Sequence, residues 1–200
     1  MLAGVSHDLR TPLTRMKLQI SLMKDEKAKS ELEVDVNEMT SMLDSYVSFV
    51  KTESPEPIET IIINELIGDI VKTVEKNGVE LTIKEKNTIQ TSGRQIQLKR
   101  AFNNIIDNSQ RYAKKIEIIL YTNEKDCVIE FNDDGEGIPR DKYEDVFKPF
   151  FTLDPSRNKL KGESGLGLTI TRDIIRSHGG DVKLSDSNLG GLQLKVLLPL

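Results

Sequence analysis

The stretch Thr52-Glu53-Ser54-Pro55-Glu56-Pro57 decides how this chain is put together. Two prolines within three residues, flanked by small and acidic residues, stop any helix and read as a linker. They separate two regions of different hydrophobic period. Upstream, residues 1–53 carry a helical pattern only. After the charged, turn-like Lys24-Asp25-Glu26-Lys27, apolar residues recur at Leu32, Val36, Met39, Leu43, Tyr46 and Val50, in steps of 4, 3, 4, 3 and 4. That is a heptad seam. A preceding helix supplies another seam at Leu2, Val5, Leu9, Leu13, Met16, Ile20 and Met23. Two such helices joined by a short turn make an antiparallel hairpin. A lone pair covers too little apolar surface to be stable, so the expectation is a homodimer closing a four-helix bundle across a two-fold axis, with the methionines mostly in its core.

Downstream the period alternates. Val79, Leu81 and Ile83 interleave with Glu80, Thr82 and Lys84, and the pattern repeats at Ile116/Ile118/Leu120, Cys127/Ile129/Phe131 and Leu192/Leu194/Val196/Leu198. Each is a strand with one buried face. Helical stretches are predicted near 64–76, 95–113, 140–147 and 166–178. Asn123-Glu124-Lys125-Asp126 joins two strands as a hairpin. The expected class is α+β: a helical hairpin at 1–53, a hinge linker at 54–57, and at 58–200 an α/β sandwich with a mixed sheet and helices on one face.

Composition narrows the function classes. Lys+Arg 28 against Asp+Glu 32 gives a net charge of −4 over 200 residues. That is the wrong sign for a chain that holds nucleic acid or a membrane surface by charge, and neither is an expected partner. The longest apolar run, Ile118-Ile119-Leu120-Tyr121, is four residues, where a spanning helix needs about 20. One Cys and two His exclude disulfide scaffolds and Cys/His zinc sites. Cys127 alternates into the core face, and His178 before Gly179-Gly180 reads as a helix-end residue.

Four segments carry chemistry. In Ser6-His7-Asp8-Leu9-Arg10-Thr11-Pro12-Leu13, a turn of about 100° per residue puts His7 roughly 170° from the Leu2/Val5/Leu9 cluster. His7 is therefore expected to face solvent, with Thr11 one turn on along the same face, and Pro12 to bend the helix beside it. A lone exposed His is usually idle. An imidazole with an ordinary pKa near 6.5 is nonetheless largely neutral and nucleophilic near pH 7. On the helix 95–113, Asn104, Asn108 and Arg111 fall within about 60° of each other, away from Leu98, Phe102, Ile105 and Ile106. Alone this is a solvated polar face; it is also a donor and acceptor stripe suited to a divalent cation and phosphate oxygens. Asp133-Asp134-Gly135-Glu136-Gly137-Ile138 puts a carboxylate at a strand end, followed by spaced glycines that admit close approach of a ligand, or simply a tight turn. Gly162-Glu163-Ser164-Gly165-Leu166-Gly167-Leu168 opens a helix whose free N–H groups can meet phosphate.

Together and in this order, these segments resemble bacterial two-component sensor histidine kinases, close to the osmosensing EnvZ type. Residues 6–13 resemble the phosphoacceptor motif of the HisKA dimerisation domain; 104–112, 133–138, Phe147-Lys-Pro-Phe150 and 162–168 resemble the N, G1, F and G2 boxes of the Bergerat (GHKL) ATP-binding domain. The resemblance implies ATP and Mg²⁺ as cofactors. It makes His7 the phosphorylated residue, Asp8 its proton acceptor and Thr11 the residue that positions a water for dephosphorylating a response regulator. It makes Asn108 the metal ligand, sets Tyr112 beside the adenine and Asp133 against the adenine 6-amino group. Asn104, Arg111, Gly135, Gly137, Ile138, Phe150, Gly165, Leu166, Gly167 and Leu168 would line the nucleotide. Residues 153–163 would be the lid, with Arg157 as a phosphate contact, and Gly190-Gly191 the last glycine turn. The implied partner is a response-regulator receiver domain, and the implied location cytoplasmic, as part of a membrane-anchored parent.

Two departures matter. ATPases and serine kinases of this superfamily resemble each other in having a Glu four residues before the metal-binding Asn; here that place is Asn104, which cannot take a proton, so the nucleophile must bring its own base. Glu163 replaces the first glycine of the usual Gly-Thr-Gly-Leu-Gly-Leu, which lowers the expected ATP affinity. It leaves a second reading open, a kinase-inactive dimer that binds and dephosphorylates a regulator.

Overall fold

A computed structural model describes residues 2–50, 56–73, 79–153 and 165–200, with the backbone alone for 2–9, 38, 41–42 and 44–50. The chain divides into two compact units, 1–54 with 148–166, and 55–147 with 167–200.

In the first unit, α1 (Leu2–Ser21) and α2 (Glu26–Val50) form the expected hairpin. α1 runs on through Pro12. α2 starts where Asp25 Oδ1 accepts from the backbone N–H of Lys27 and Ala28, at 3.0 and 3.1 Å, satisfying two of the helix's orphan donors. Leu13, Ile20 and Val36 are buried, with Met23 and Leu43 packed against them. Three residues of the two seams, Met16, Leu32 and Met39, remain 41–50% exposed. Within this hairpin Met16 and Met39 therefore do not fill a core, because two helices enclose only one side of each seam.

In the second unit, β1 (Glu59–Ile62) leads into α3 (Ile63–Thr73), then β2 (Glu80–Glu85), β3 (Gln90–Gly93), α4 (Gln95–Tyr112), β4 (Lys115–Thr122), β5 (Asp126–Asp133), α5 (Gly167–Ser177), β6 (Asp181–Asp186) and β7 (Leu192–Pro199). A five-stranded sheet has the order β2-β4-β5-β7-β6, with β2 parallel to β4 and the other pairings antiparallel. β1 and β3 form a separate antiparallel pair. The mixed sheet and the α+β class are as expected. The strands β1, β3 and β6 were not foreseen: β1 and β3 are four residues each, too short to show a period, and β6 has only Val182 and Leu184 as alternating apolar residues.

The helices bury their apolar stripes on one side. Ile63, Ile67 and Ile70 of α3, Leu98, Phe102, Ile105 and Ile106 of α4, and Ile174 and Ile175 of α5 are closed to solvent, as are Ile116, Ile118, Leu120, Ile129, Phe131, Leu194 and Val196 of the sheet. Phe102 and Phe131 meet at 6.1 Å between ring centroids. The alternate sheet positions carry ion pairs instead, Lys84 Nζ to Glu117 Oε1 at 2.6 Å and Lys195 Nζ to Glu130 Oε1 at 2.8 Å.

The predicted helix at 140–147 is a correction. Arg140–Lys142 and Asp145–Phe147 are single 3₁₀ turns. Pro139 opens the stretch, Arg140 and Tyr143 both bond Asp186 at the end of β6, and Glu144 bonds Arg172 of α5. Those tertiary contacts pull in different directions and outweigh a continuous helical ladder. The predicted 64–76 helix is observed over 63–73; residues 74–78 lie outside those described.

The start of α4 is fixed by two distant residues. Of the expected linker 54–57, Glu56 is tied to the helix start: its carboxylate accepts from the N–H of Ile96 and Gln97 at 2.5 and 3.3 Å. The preceding Arg94 N–H donates to Nε2 of His178, whose Nδ1 meets the Ile174 carbonyl at 2.7 Å. His178 thus ends α5 as expected and joins it to α4.

Candidate functional site

α4 gives the site its back wall. Its apolar stripe is buried, which turns Asn104 and Asn108 to a half-buried side and leaves Arg111 and Tyr112 exposed. Asn104 Nδ2 donates to the carbonyl of Gly167 at 3.3 Å, fastening the first residue of α5 to α4. Thr171 Oγ1 holds the same carbonyl at 2.9 Å. A Cβ on Gly167 would already lie 4.0 Å from Asn104 Cβ, so the two helices pack closely here. No hydrogen bond holds the Asn108 amide among the described residues, and its carbonyl oxygen is the type of donor a hard divalent cation takes.

Asp133 ends β5 almost fully buried, at 5% exposure. Its Oδ1 accepts from the N–H of Gly135 at 3.0 Å and of Leu192 at 2.9 Å, while Ser109 Oγ of α4 approaches Oδ2 at 3.4 Å. Burial pushes this carboxyl above the usual carboxylate range, against the pull of those three donors. The neighbouring Asp134 has the opposite fate. Its Oδ1 accepts from the N–H of Lys114 and Lys115 at 2.7 and 2.8 Å, and these bonds hold it below the ordinary range. Asp134 therefore stitches the turn after α4, and Asp133 is the one turned to the interior.

Glycines make this crowding feasible. A Cβ on Gly191 would stand 2.3 Å from Asp133 Oδ1 and 2.4 Å from the Gly135 nitrogen. Gly191 N–H in turn bonds the Asp133 carbonyl at 3.0 Å. A Cβ on Gly135 would come within 3.0 Å of the Tyr112 carbonyl. Gly137 turns with φ +70°, a conformation that suits glycine, opposite Gly191. Ile138, next to Gly137, and Leu168, next to Gly167, are half-buried. The structure thus brings Asp133, Gly135, Gly137 and Tyr112 around the end of β5, and Asn104 and Gly167 at the junction of α4 and α5.

The other expected residues belong to the first unit or lie outside the described ones. Phe150 takes φ +63°, unusual for a residue with a side chain, and its N–H bonds the Gly165 carbonyl at 3.1 Å. Leu166 is buried. Arg157, Glu163 and the rest of 154–164 lie outside the described residues, as do the side chains of His7 and Asp8 and hence the outward direction expected of His7. Their backbone is helical, within α1; Thr11, one turn after His7, is exposed.

Three participants escaped sequence reasoning. Ser109 was not singled out, although it sits on the buried face of α4 in the apolar period. Asp134 reads in the sequence only as part of its loop. The backbone donor of Leu192 has no side-chain signature at all.

The family described as histidine kinase-, DNA gyrase B- and HSP90-like ATPase matches residues 93–200, and the His Kinase A phospho-acceptor domain matches residues 1–54. The sensor histidine kinase GtrS of Pseudomonas aeruginosa is 31% identical over 100% of this chain and 41% of its own length. The sensor histidine kinase CpxA of Escherichia coli K12 is 32% identical over 100% of this chain and 46% of its own. The chain thus spans less than half the length of these relatives. In fold it is similar to the mycobacterial sensor histidine kinase MprB, with a TM-score of 0.63 and 24% identity over 72% of this chain and 97% of that one. It is also similar to full-length ShkA in complex with AMPPNP, with a TM-score of 0.70 and 16% identity over 100% of this chain and 46% of that one. A phospho-acceptor hairpin followed by an ATPase-type sheet unit, matched in that order along one chain, makes this protein a member of the two-component sensor histidine kinases.

Proposed function

We propose that the chain is the kinase core of a two-component system, with residues 1–53 as the dimerising phosphotransfer hairpin, 54–57 as the hinge and 58–200 as the ATP-binding domain. The observation that carries this reading is the buried Asp133 carboxylate, anchored by Gly135 and Leu192 through one oxygen and opposite an α4 that presents Asn108. Asp133 accepts from the 6-amino group of adenine, with Tyr112, Gly135, Gly137 and Ile138 around the base. Asn108 would hold Mg²⁺, which would supply charge neutralisation at the phosphates. Asn104 positions the start of α5, where Gly165, Leu166, Gly167 and Leu168 offer backbone N–H groups to the phosphates. Arg111, Phe150 and Arg157 complete the nucleotide contacts.

In the reaction a ring nitrogen of His7 attacks the γ-phosphorus in line. An N–P bond forms, the P–O bond to the β-phosphate breaks, ADP leaves, and the imidazole proton passes to Asp8. Catalysis comes from positioning and charge neutralisation, not from a general base at position 104. The phosphoryl group then moves to an Asp of a response-regulator receiver domain, and Thr11 serves the reverse dephosphorylation. The exposed seam residues Met16, Leu32 and Met39 support a homodimer. No helix among the described residues is long and apolar enough to cross a membrane, in keeping with a cytoplasmic kinase core.

Incubation with γ-labelled ATP and Mg²⁺ tests the reading. The expected label is acid-labile and alkali-stable, and is lost in both His7→Ala and Asn108→Ala. An unlabelled wild-type protein that still dephosphorylates a regulator would instead favour the kinase-inactive reading; steady phosphate release surviving His7→Ala would mean a plain ATPase.

A further inference from the structure

The two oxygens of Asp133 are not equivalent. Oδ1 is saturated by the N–H groups of Gly135 and Leu192, at 3.0 and 2.9 Å. Among the described residues Oδ2 has one donor, the hydroxyl of Ser109 at 3.4 Å. Both residues are buried, Ser109 at 4% and Asp133 at 5% exposure. Ser109 lies on the inner face of α4, immediately after Asn108, so one turn of helix carries both the proposed metal ligand and the donor to the base-reading carboxylate. An apolar residue would pack there as well as a serine, and a buried hydroxyl is favoured only where it is bonded.

A carboxylate is acceptor-only, whereas its protonated form carries one O–H donor. An ionised Asp133 accepts from the 6-amino group of adenine and opposes the 6-oxo acceptor of guanine; a protonated Asp133 can donate to that oxygen. We propose that Ser109 is a positioning and specificity-determining residue, whose hydroxyl keeps the Asp133 carboxylate ionised and turned so that the second lone pair of Oδ2 selects adenine over guanine. The proposal rests on the reading of Asp133 as the adenine contact. It has a physical motive, since burial pushes the Asp133 carboxyl up and a donor on its only uncommitted oxygen opposes that. The groups acting on Asp133 are the Ser109 hydroxyl from α4, the N–H groups of Gly135 and Leu192, and the charge of Asp134, which is itself bonded to Lys114 and Lys115 N–H. Among these only Asp134 is charged, and it repels the ionised form, so Ser109 is the one side chain that favours it.

The test is equilibrium binding of non-hydrolysable ATP and GTP analogues to the full chain with Mg²⁺ across pH, in wild type, Ser109→Ala and Asp133→Asn. Alanine fits wherever serine fits and suits a helix, and a thermal melt checks that the fold is kept. Ser109→Ala is expected to lower affinity for the ATP analogue about tenfold near neutral pH, the value of one hydrogen bond to a charged group at the low end of its range. It should also move the acid limb of binding to higher pH and narrow the preference over the GTP analogue below that limb. An acid limb that stays in place, with or without a uniform loss of affinity, overturns the proposal, because a packing role alone changes affinity equally at every pH. If Asp133→Asn binds both analogues as wild type does, it is the assignment of Asp133 to the base that fails.

Discussion

The hairpin and the sheet unit show two ways of using the same apolar residue types. In the sheet unit Ile63, Ile67, Phe102, Ile106, Ile118 and Ile129 are all fully closed to solvent, because three helices cover a sheet whose alternate side chains point at them. In the hairpin, Leu13, Ile20 and Val36 are buried while Met16, Leu32 and Met39, on the same seams, stay open. A layered α/β unit encloses its core within one chain. A two-helix hairpin has a second side that needs another surface. The difference separates a half whose stability resides in internal packing from one whose seam residues Met16, Leu32 and Met39 leave a second apolar side uncovered.

Phe131→Ala should separate the two units most sharply. Removing a fully buried ring that meets Phe102 is expected to destabilise the sheet unit by about 3–5 kcal/mol, seen as a lowered thermal transition while the helical transition of the hairpin stays in place. A single shared transition that falls as a whole would show instead that the units melt together. Gly191→Ala comes next. Its Cβ would intrude on Asp133 Oδ1 and the Gly135 nitrogen, an overpacking of about 1–3 kcal/mol. Calorimetric titration should find nucleotide affinity lowered roughly tenfold or more, with dimerisation unchanged. Dilution acts on the other half: each tenfold drop in protein concentration removes about 1.4 kcal/mol from a dimer. The helical transition should fall with dilution and that of the sheet unit should not. A helical transition independent of concentration would refute the dimer.

The smallest effect concerns Asp133 and pH. Its folded pKa lies above the unfolded value, so its contribution to stability is present below the unfolded pKa and is lost as pH rises through the folded one. At neutral pH the ionised carboxylate therefore detracts from stability. Asp133→Asn should raise the melting temperature of the sheet unit at pH 7, with the gain fading toward acid, while abolishing nucleotide binding. That would be the usual opposition of function and stability at a site. A melting temperature that drops equally at all pH values would show that Asp133 is held for its hydrogen bonds alone.

Much of this was legible in the linear pattern. The linker at 52–57 divides two periods, and α4 and α5 begin and end within two residues of where their apolar spacing puts them. The failures were of one kind. The stretch 140–147 reads as a helix locally, yet Asp186 and Arg172 hold its side chains from two other elements and leave only 3₁₀ turns. For Asn104, read as a nucleotide-lining residue, the structure adds that its amide donates to the Gly167 carbonyl, 63 positions along the chain. Ser109 carried no signal, because a small polar residue in a buried register is meaningful only once its partner is known.

Period, breakers and the order of short motifs are properties of neighbours along the chain. They were enough to determine the division into hairpin and α/β unit, the helices and long strands of its core, and the kind of chemistry. Which glycine must lack a side chain beside Asp133, and which serine faces its carboxylate, were decided only when β5, α4 and the turn before β7 met. Those choices depend on burial and on donors that arrive from distant sequence, and a local pattern carries no trace of either.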